Sequence, residues 1–228
     1  MSNLLKAFHL KDDFFGKYEK LVVEQVIPYQ EKALRDEIPE AEKSHAIENF
    51  RQAAKILAEG KCEEEFYGMV FQDSDLAKWL EAAAYSLLIK PDAELEARID
   101  ELCDLIAAAQ EPDGYLDTHF TLERPEGKFA NLLEGHELYC AGHLLEAAIA
   151  YDEATGKDAF LKAMMRYMDH IYEIFLVEKS ASFATPGHEE IELALIKLYD
   201  HTGIQKYLDL AEFFLEERGK HPDKDTEG

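Results

Sequence analysis

Hydrophobic residues recur along this chain at the three- and four-residue spacing of amphipathic helices, and the alternating runs typical of strands are nearly absent. The pattern therefore predicts an all-α protein. A less periodic stretch, 118–133, is predicted to be a loop with room for a short strand pair, and 178–187 is predicted to be a second loop. The predicted helices span 16–36 with an interruption at Pro28, 44–59, 76–89, 93–110, 136–154, 158–177, 189–201 and 204–217.

Turn-forming and capping residues mark several of the predicted helix ends. Gly60 is a C-terminal stop for the helix 44–59, and Pro91 with Asp92 opens the helix 93–110. The triplet Asp73–Asp75 offers an N-cap for the helix 76–89. Two acids cannot both fill one cap, so either Asp73 or Asp75 is left free for binding. The stretch "EPDGYLD" is predicted to be a tight turn.

A repeated motif organises the second half of the chain. "GHE" occurs at 135–137 and again at 187–189, and each copy precedes a helix that ends in a tyrosine and a Thr-Gly turn. Such helical hairpins bury their faces against neighbouring hairpins. Stacked hairpins form an open solenoid or close into a ring, and irregular loops at one rim favour the ring. About eight helices are too few for six hairpins, so the predicted fold is a partial (α/α)6 toroid.

The charge balance narrows the classes of partner. The chain has 48 acidic and 24 basic residues among 228, a formal net charge of -24. Nucleic acids and anionic membranes would repel such a surface. No leader pattern or long apolar segment is present, and three widely spaced cysteines without a CxxC pair are typical of reduced thiols. We therefore expect a cytoplasmic protein that contacts neither a membrane nor nucleic acid.

The first candidate site lies in "GHELYCAGHLLEAAIAY". Its spacing puts His136, Cys140 and His143 on one helical face, and imidazole with thiolate suits zinc. HxxxCxxH is not a frequent metal signature, however, and no fourth ligand is indicated, so we expect Cys140 and His143 to pack and no metal to bind. His136 starts its helix, and His188 takes the equivalent position in the next repeat. Two hairpins that present a histidine at the same end predict one shared pocket.

The side chains next to these histidines have simpler interpretations. Glu137 and Glu189 follow them in the first helical turn, where an acid stabilises the helix dipole, and we favour that role. Trp79, the single tryptophan, is either a sugar-stacking platform or a core anchor, and the core is preferred. Gln30 lies beside the predicted helix break, where its amide could reach a ligand or be solvated.

Taken in order, five motifs resemble a known family: "PYQEKAL", "DSDLAKWLEAAAYSL", "QEPDGYL", "GHELYCAGHLLEAAIAY" and "GHEEIELALIKLYDHTG". Together they resemble glycoside hydrolase family 127, the β-L-arabinofuranosidase type. The resemblance implies an (α/α)6 toroid followed by β-sandwich domains. It also implies a retaining hydrolysis in which a zinc-activated cysteine thiolate is the nucleophile and a glutamate is the acid/base.

The resemblance also assigns residues. It implies that His136, His188, Gln30 and Asp75 contact a sugar of the L-arabinofuranoside type. The family's nucleophile, acid/base and zinc ligands correspond to sequence beyond Gly228, and none of the three cysteines here matches them. Residues 1–219 are therefore predicted to be the N-terminal portion of a catalytic domain, inactive alone, and 220–228 a disordered tail.

Two expectations about partners follow. Hairpin faces left open by a partial toroid predict self-association or a C-terminal chain that completes the domain. The alternative is a non-catalytic helical-repeat module whose acidic surface binds a protein. That alternative predicts that His136 and His188 point into packed interior.

Overall fold

The computed structural model describes residues 11–181, 185–218 and 220 of the chain. The described residues form helices and no strand, which confirms the predicted fold class. None of the described helices combines the length and the apolar character needed to cross a membrane. The helices are α1 (Phe15–Leu21), followed by a π-helical turn (Val22–Val26), α2 (Ile27–Leu34), α3 (Ala46–Glu59), α4 (Asp73–Ile89), α5 (Ala93–Ala108), α6 (Thr118–Glu123), a 3-10 turn (Pro125–Gly127), α7 (Leu132–Gly135), α8 (Glu137–Thr155), α9 (Ala159–Tyr172) with a second π-helical turn (Glu173–Glu178), α10 (Glu190–Thr202) and α11 (Gln205–Glu217).

The hairpins α4/α5, α8/α9 and α10/α11 form two layers. In the inner row α4 packs against α8 and α8 against α10, while in the outer row α5 packs on α9 and α9 on α11. Helix α8 is buried on nearly all sides, whereas α9 buries one stripe of its surface. A helix that is apolar all round belongs inside such a fold. The arrangement is an arc of helical hairpins, the partial toroid that the repeats predict.

The inner helices present their N-terminal ends at one rim. Near that rim α8 and α10 approach closely at Gly142, where an added Cβ would lie 3.0 Å from the backbone carbonyl carbon of Glu190. Glycine is therefore required for this contact. The close approach places the first turns of α8 and α10, and thus the residues just before them, side by side.

Two sequence predictions about secondary structure are wrong. The chain is helical through Pro28 rather than interrupted there, because the π-helical turn just before α2 accommodates a residue that cannot donate a backbone hydrogen bond. The stretch 118–133 contains α6, the 3-10 turn and the start of α7 instead of a loop with strands. Asp117 caps α6 by accepting from the backbone N–H of Phe120 (3.2 Å).

The predicted helix ends have mixed outcomes. Asp92 caps α5 by accepting from the N–H groups of Glu94 and Leu95, and Gly60 ends α3 in the left-handed conformation, both as predicted. The triplet Asp73–Asp75 does not provide a cap, because α4 begins at Asp73 and the carboxylate of Asp73 binds elsewhere. The predicted disordered tail, 220–228, lies outside the described residues except for Lys220.

Candidate functional site

The two GHE histidines meet at the rim of the inner row. His136 precedes α8 in the left-handed conformation (φ 55°), and its Nδ1 lies 2.7 Å from the carbonyl oxygen of Glu134. Because a carbonyl oxygen only accepts, Nδ1 carries the hydrogen and Nε2 of the neutral ring is left as an acceptor. The exposed His188 places its ring centroid 5.2 Å from that of His136. The structure thus brings together the pair that the repeats predict.

Tyr139 lies among the histidines. Its ring centroid is 5.8 Å from that of His136, 4.9 Å from that of His188 and 4.5 Å from that of His143. Phe71 also contacts His136, with ring centroids 5.1 Å apart. The result is an aromatic and imidazole surface at the start of α8 and α10.

Lys78 joins this surface to a neighbouring cleft. Its Nζ donates to the hydroxyl oxygens of Tyr139 (2.8 Å) and Ser74 (3.0 Å). Lys78 also lines a cleft of about 520 Å³ between α2 and α4. Gln30 and Asp75 line the same cleft, so the structure brings these two predicted residues together as well.

Other contacts place the cleft residues. Gln72 donates to Asp75 through its side-chain amide (3.1 Å). Partial burial raises the pKa of the Asp75 carboxyl, and the neighbouring Lys78 opposes that shift. Trp79 is 3% exposed and donates its indole N–H to the carbonyl oxygen of Ile27 (3.0 Å), which confirms the core anchor. The cleft therefore offers an amide, a carboxylate and an ammonium on a fixed apolar base.

Buried carboxylates hold the rim in place. Glu137 is fully buried and accepts from the Tyr115 hydroxyl (2.6 Å) and the backbone N–H of Phe129 (2.8 Å). Burial raises its pKa to about 7, although these hydrogen bonds lower it. Glu137 lies in the first turn of α8, as predicted, and its carboxylate also clamps the preceding segment. Asp73 similarly accepts from the backbone N–H of Thr118 (2.8 Å), and burial raises its pKa to about 6.

A second layer of ionisable groups lies one to two turns deeper. His143 Nδ1 is 3.2 Å from a carboxylate oxygen of Glu190, and Glu146 forms an ion pair with Lys197. Burial lowers the pKa of His143 to about 4 and raises that of Glu190 to about 8, with Glu146 adding to the rise. A neutral Glu190 can donate its proton to one of the acceptors beside it.

His143, Glu146 and Glu190 could together hold a metal ion, since one ligand atom from each lies within 4.8 Å of the others. The Lys197 ammonium, however, already supplies a positive charge to Glu146. Cys140 is fully buried, as expected for packing, and does not join this group. His143 differs from a plain packing residue because it contacts Glu190.

Sequence reasoning missed three residues of this rim: Lys78, Tyr139 and the anchoring role of Glu137. A positional signal existed for two of them. Tyr139 is three residues after His136, and Lys78 is three residues after Asp75, so each shares a helical face with a predicted site residue. No local signal marks Glu137, whose partners are 8 and 22 residues away.

Comparisons with known proteins relate the chain to one family of enzymes. A non-reducing end β-L-arabinofuranosidase from Bifidobacterium longum subsp. longum is 41% identical over 92% of this chain, which spans 33% of the relative. The crystal structure of a GH127 β-L-arabinofuranosidase from Geobacillus stearothermophilus T6 is 52% identical over 95% of this chain and 33% of that one, with a TM-score of 0.89. A further GH127 β-arabinofuranosidase structure is 33% identical over 94% of this chain and 33% of that one, with a TM-score of 0.83.

The chain thus spans about a third of the length of these relatives. The model of the β-L-arabinofuranosidase GH127 catalytic domain matches residues 7–228, nearly the whole chain. Because this match covers nearly the whole chain, the chain belongs to the GH127 β-L-arabinofuranosidase catalytic-domain family.

Proposed function

We propose that the rim of the inner row is the sugar-binding side of a GH127-type domain acting on β-L-arabinofuranosides. The observation that carries this proposal is the convergence of His136 and His188, from two different hairpins, to a ring separation of 5.2 Å. The relatives' printed activity supplies the substrate class. Gln30 and Asp75 extend the proposed binding surface into the adjoining cleft.

The side chains suit a small polyol. A furanoside presents hydroxyl groups that both donate and accept, together with a ring oxygen that only accepts. Nε2 of His136 can accept, the Asp75 carboxylate can accept, and the amide of Gln30 can do both. Such a mixed set of donors and acceptors can orient several hydroxyl groups at once. Removing one of these side chains would leave the sugar hydroxyl that it binds without a hydrogen-bond partner.

We infer that the nucleophile of the reaction is not among the three cysteines of this chain. The thiols of Cys103 and Cys140 are buried, and burial raises the pKa of both well above that of a free thiol. A thiolate nucleophile needs the opposite shift. The group of possible metal ligands in the described part of the chain contains no cysteine, so neither these two thiols nor the half-buried Cys62 fits the zinc-bound thiolate that the family implies. Our proposal is that reacting groups and zinc lie outside this chain.

A titration tests the sugar proposal. Isothermal titration of the purified chain with methyl β-L-arabinofuranoside should give saturable binding that is lost in His136→Ala and in His188→Ala. His201→Ala is the matched control, because His201 lies at the far end of α10, paired with Asp152 (2.7 Å). Equal affinity in all four proteins, or no binding by the unaltered chain, would contradict the proposal.

Hydrolysis tests the inference about the nucleophile separately. We expect the purified chain, with added zinc, to leave an aryl β-L-arabinofuranoside intact. Robust release of the aryl group that Cys140→Ala or Cys62→Ala abolishes would overturn the inference. Release that survives in both variants and in Cys103→Ala would instead place a different nucleophile in this chain.

The exposed apolar side chains suggest where further helices would pack. Phe14, just before α1, is 63% exposed, and Tyr18, on α1, is 54% exposed. Leu193 on α10 is 48% exposed, and Leu215 on α11 is 49% exposed. These residues belong to the first and last helices of the arc. We propose that they contact further helices of a family-length domain, supplied by a continuing or a second chain. Sedimentation velocity should therefore show association that Leu193→Glu weakens, and a concentration-independent monomer would contradict association of this chain with itself.

The alternative of a protein-binding module is not favoured. It predicts both rim histidines in packed interior, whereas His188 is exposed and His136 is half-buried. The shared surface of the two rings therefore supports a ligand site rather than a purely structural pair.

A further inference from the structure

The proposed sugar site has two parts that come from distant stretches of sequence. The histidine pair is formed by α8 and α10, and the cleft that holds Gln30 and Asp75 is formed by α2 and α4. Only a side chain that reaches from one part to the other can make them a continuous surface. Tyr139 and Lys78 make that connection, because Tyr139 contacts both histidine rings and Lys78 lines the cleft.

The Tyr139 hydroxyl has a defined direction for its hydrogen bonds. Its oxygen accepts from Lys78 Nζ (2.8 Å), and an ammonium can only donate. The hydroxyl hydrogen must therefore be directed at some other acceptor. The ring of Tyr139 is fixed by edge contacts with His143 and His136, which hold it in this position.

Lys78 also has a donor to offer. Its ammonium has three hydrogens, of which one is directed at Tyr139 and one at the hydroxyl of Ser74 (3.0 Å). The third is available to a ligand in the cleft. Nζ also lies 4.8 Å from the centroid of the Tyr139 ring, so the two side chains stabilise each other's position.

We propose that Tyr139 and Lys78 are substrate-contacting residues that bridge the two parts of the site. The Tyr139 hydroxyl donates to an oxygen of the furanoside held by the histidine pair. Lys78 donates to a hydroxyl oxygen of the same furanoside where the sugar reaches the cleft. This inference rests on the proposed function, since it assigns two more contacts to the same site.

Two variants test the bridge with the same probe, methyl β-L-arabinofuranoside. Tyr139→Phe keeps the ring and removes the donor, so the dissociation constant should rise by about 5-fold. Lys78→Met keeps much of the side-chain length and removes a charged donor, so a rise of about 10-fold or more is expected. Because Lys78 orients the hydroxyl, the double variant should lose less than the product of the two single losses.

Matched controls separate contact from general loss of structure. Tyr172→Phe, in the outer row, and Lys90→Met, at the other end of α4, should leave the dissociation constant unchanged. Melting temperatures of Tyr139→Phe and Lys78→Met should stay near that of the unaltered chain, because both side chains are partly exposed. If Tyr139→Phe were unstable, Lys78→Met alone would still test the bridge.

The failures of the two proposals are distinguishable. Loss of binding in His136→Ala and His188→Ala, with unchanged binding in Tyr139→Phe and Lys78→Met, would overturn the bridge and leave the proposed function standing. Absence of furanoside binding by the unaltered chain would overturn both. Weakening in both bridge variants but in neither control is the result that the proposal predicts.

Discussion

The two GHE motifs have the same three residues and different surroundings. In the first copy Glu137 is fully buried and holds Tyr115 and Phe129, whereas in the second copy Glu189 is 68% exposed in its side chain and pairs with Arg218 (3.3 Å). Both histidines nevertheless reach the same rim. The comparison indicates that the histidine is the shared element, while the role of the glutamate depends on which partners the surrounding chain supplies.

The glycines of the two motifs also have different surroundings. A Cβ at Gly135 would lie 3.1 Å from the ring carbon Cζ of Phe120, a side chain that can move. A Cβ at Gly187 would lie 2.5 Å from the backbone carbonyl oxygen of Leu133, which cannot move alone. The second motif is therefore seated by backbone contact against the segment that leads into the first. The two histidines are placed by different means.

Replacing the glutamates should give the largest difference between the copies. Glu137→Ala leaves the Tyr115 hydroxyl and the Phe129 N–H buried without an acceptor, and each such group costs about 1–3 kcal/mol. We expect the free energy of unfolding to fall by roughly 3 kcal/mol in urea titrations. Glu189→Ala removes only an exposed ion pair and should cost less than about 1 kcal/mol. Equal losses would contradict the distinction between a buried clamp and a surface pair.

The glycines should give the next largest difference. Gly187→Ala forces a methyl group against the carbonyl oxygen of Leu133, and such overpacking costs about 1–3 kcal/mol. Gly135→Ala meets a ring that can shift, so its loss in unfolding free energy should be smaller. Thermal unfolding of the two variants measures this order. A larger loss in Gly135→Ala would show that the Phe120 ring is as fixed as the backbone.

The pH dependence of stability sharpens the comparison further. Burial raises the pKa of Glu137 from its ordinary value of 4.5 to about 7. The folded chain therefore holds this proton more tightly than the unfolded chain. The stabilising contribution is fully present below pH 4.5 and is lost as the pH rises through 7, so the urea midpoint should fall over that range.

Matched variants assign this pH slope to one motif. Glu137→Gln should flatten the fall in the urea midpoint, and Glu189→Gln should leave it unchanged. Other carboxyls whose pKa values burial raises, among them Asp73, Asp117 and Glu190, contribute to the slope that remains in Glu137→Gln. An unchanged slope in Glu137→Gln would argue that the Glu137 carboxyl is not the titrating group.

Sequence reasoning predicted the inner and outer hairpins well because their signals are local. Helices α8, α10 and α11 begin and end close to the predicted residues, and Gly156 and Gly203 end α8 and α10 in the left-handed conformation. The stretch 118–133 differs from its prediction, and its contacts reach outside the stretch: the hydroxyl of Thr121 on α6 donates to Glu111 (2.9 Å), and Lys128 forms an ion pair with the same carboxylate (2.6 Å). Periodicity carries no information about such contacts.

The same division applies to the site. His136 and His188 could be predicted because a repeat places equivalent residues at equivalent ends of neighbouring hairpins. The clamp formed by Glu137 could not, since the Tyr115 hydroxyl lies 22 residues away and helix-dipole stabilisation explains the same letter equally well. Lys78 and Tyr139 become connected only when α4 and α8 pack together.

The central claim, that the two GHE histidines form one ligand site, is tested most directly by NMR of their imidazole groups. Signals of His136 and His188, assigned with His136→Ala and His188→Ala, should shift together during titration with methyl β-L-arabinofuranoside and report the same dissociation constant. The signal of His201 should not move. Shifts of only one rim histidine, different constants for the two, or no shift of either would contradict the claim.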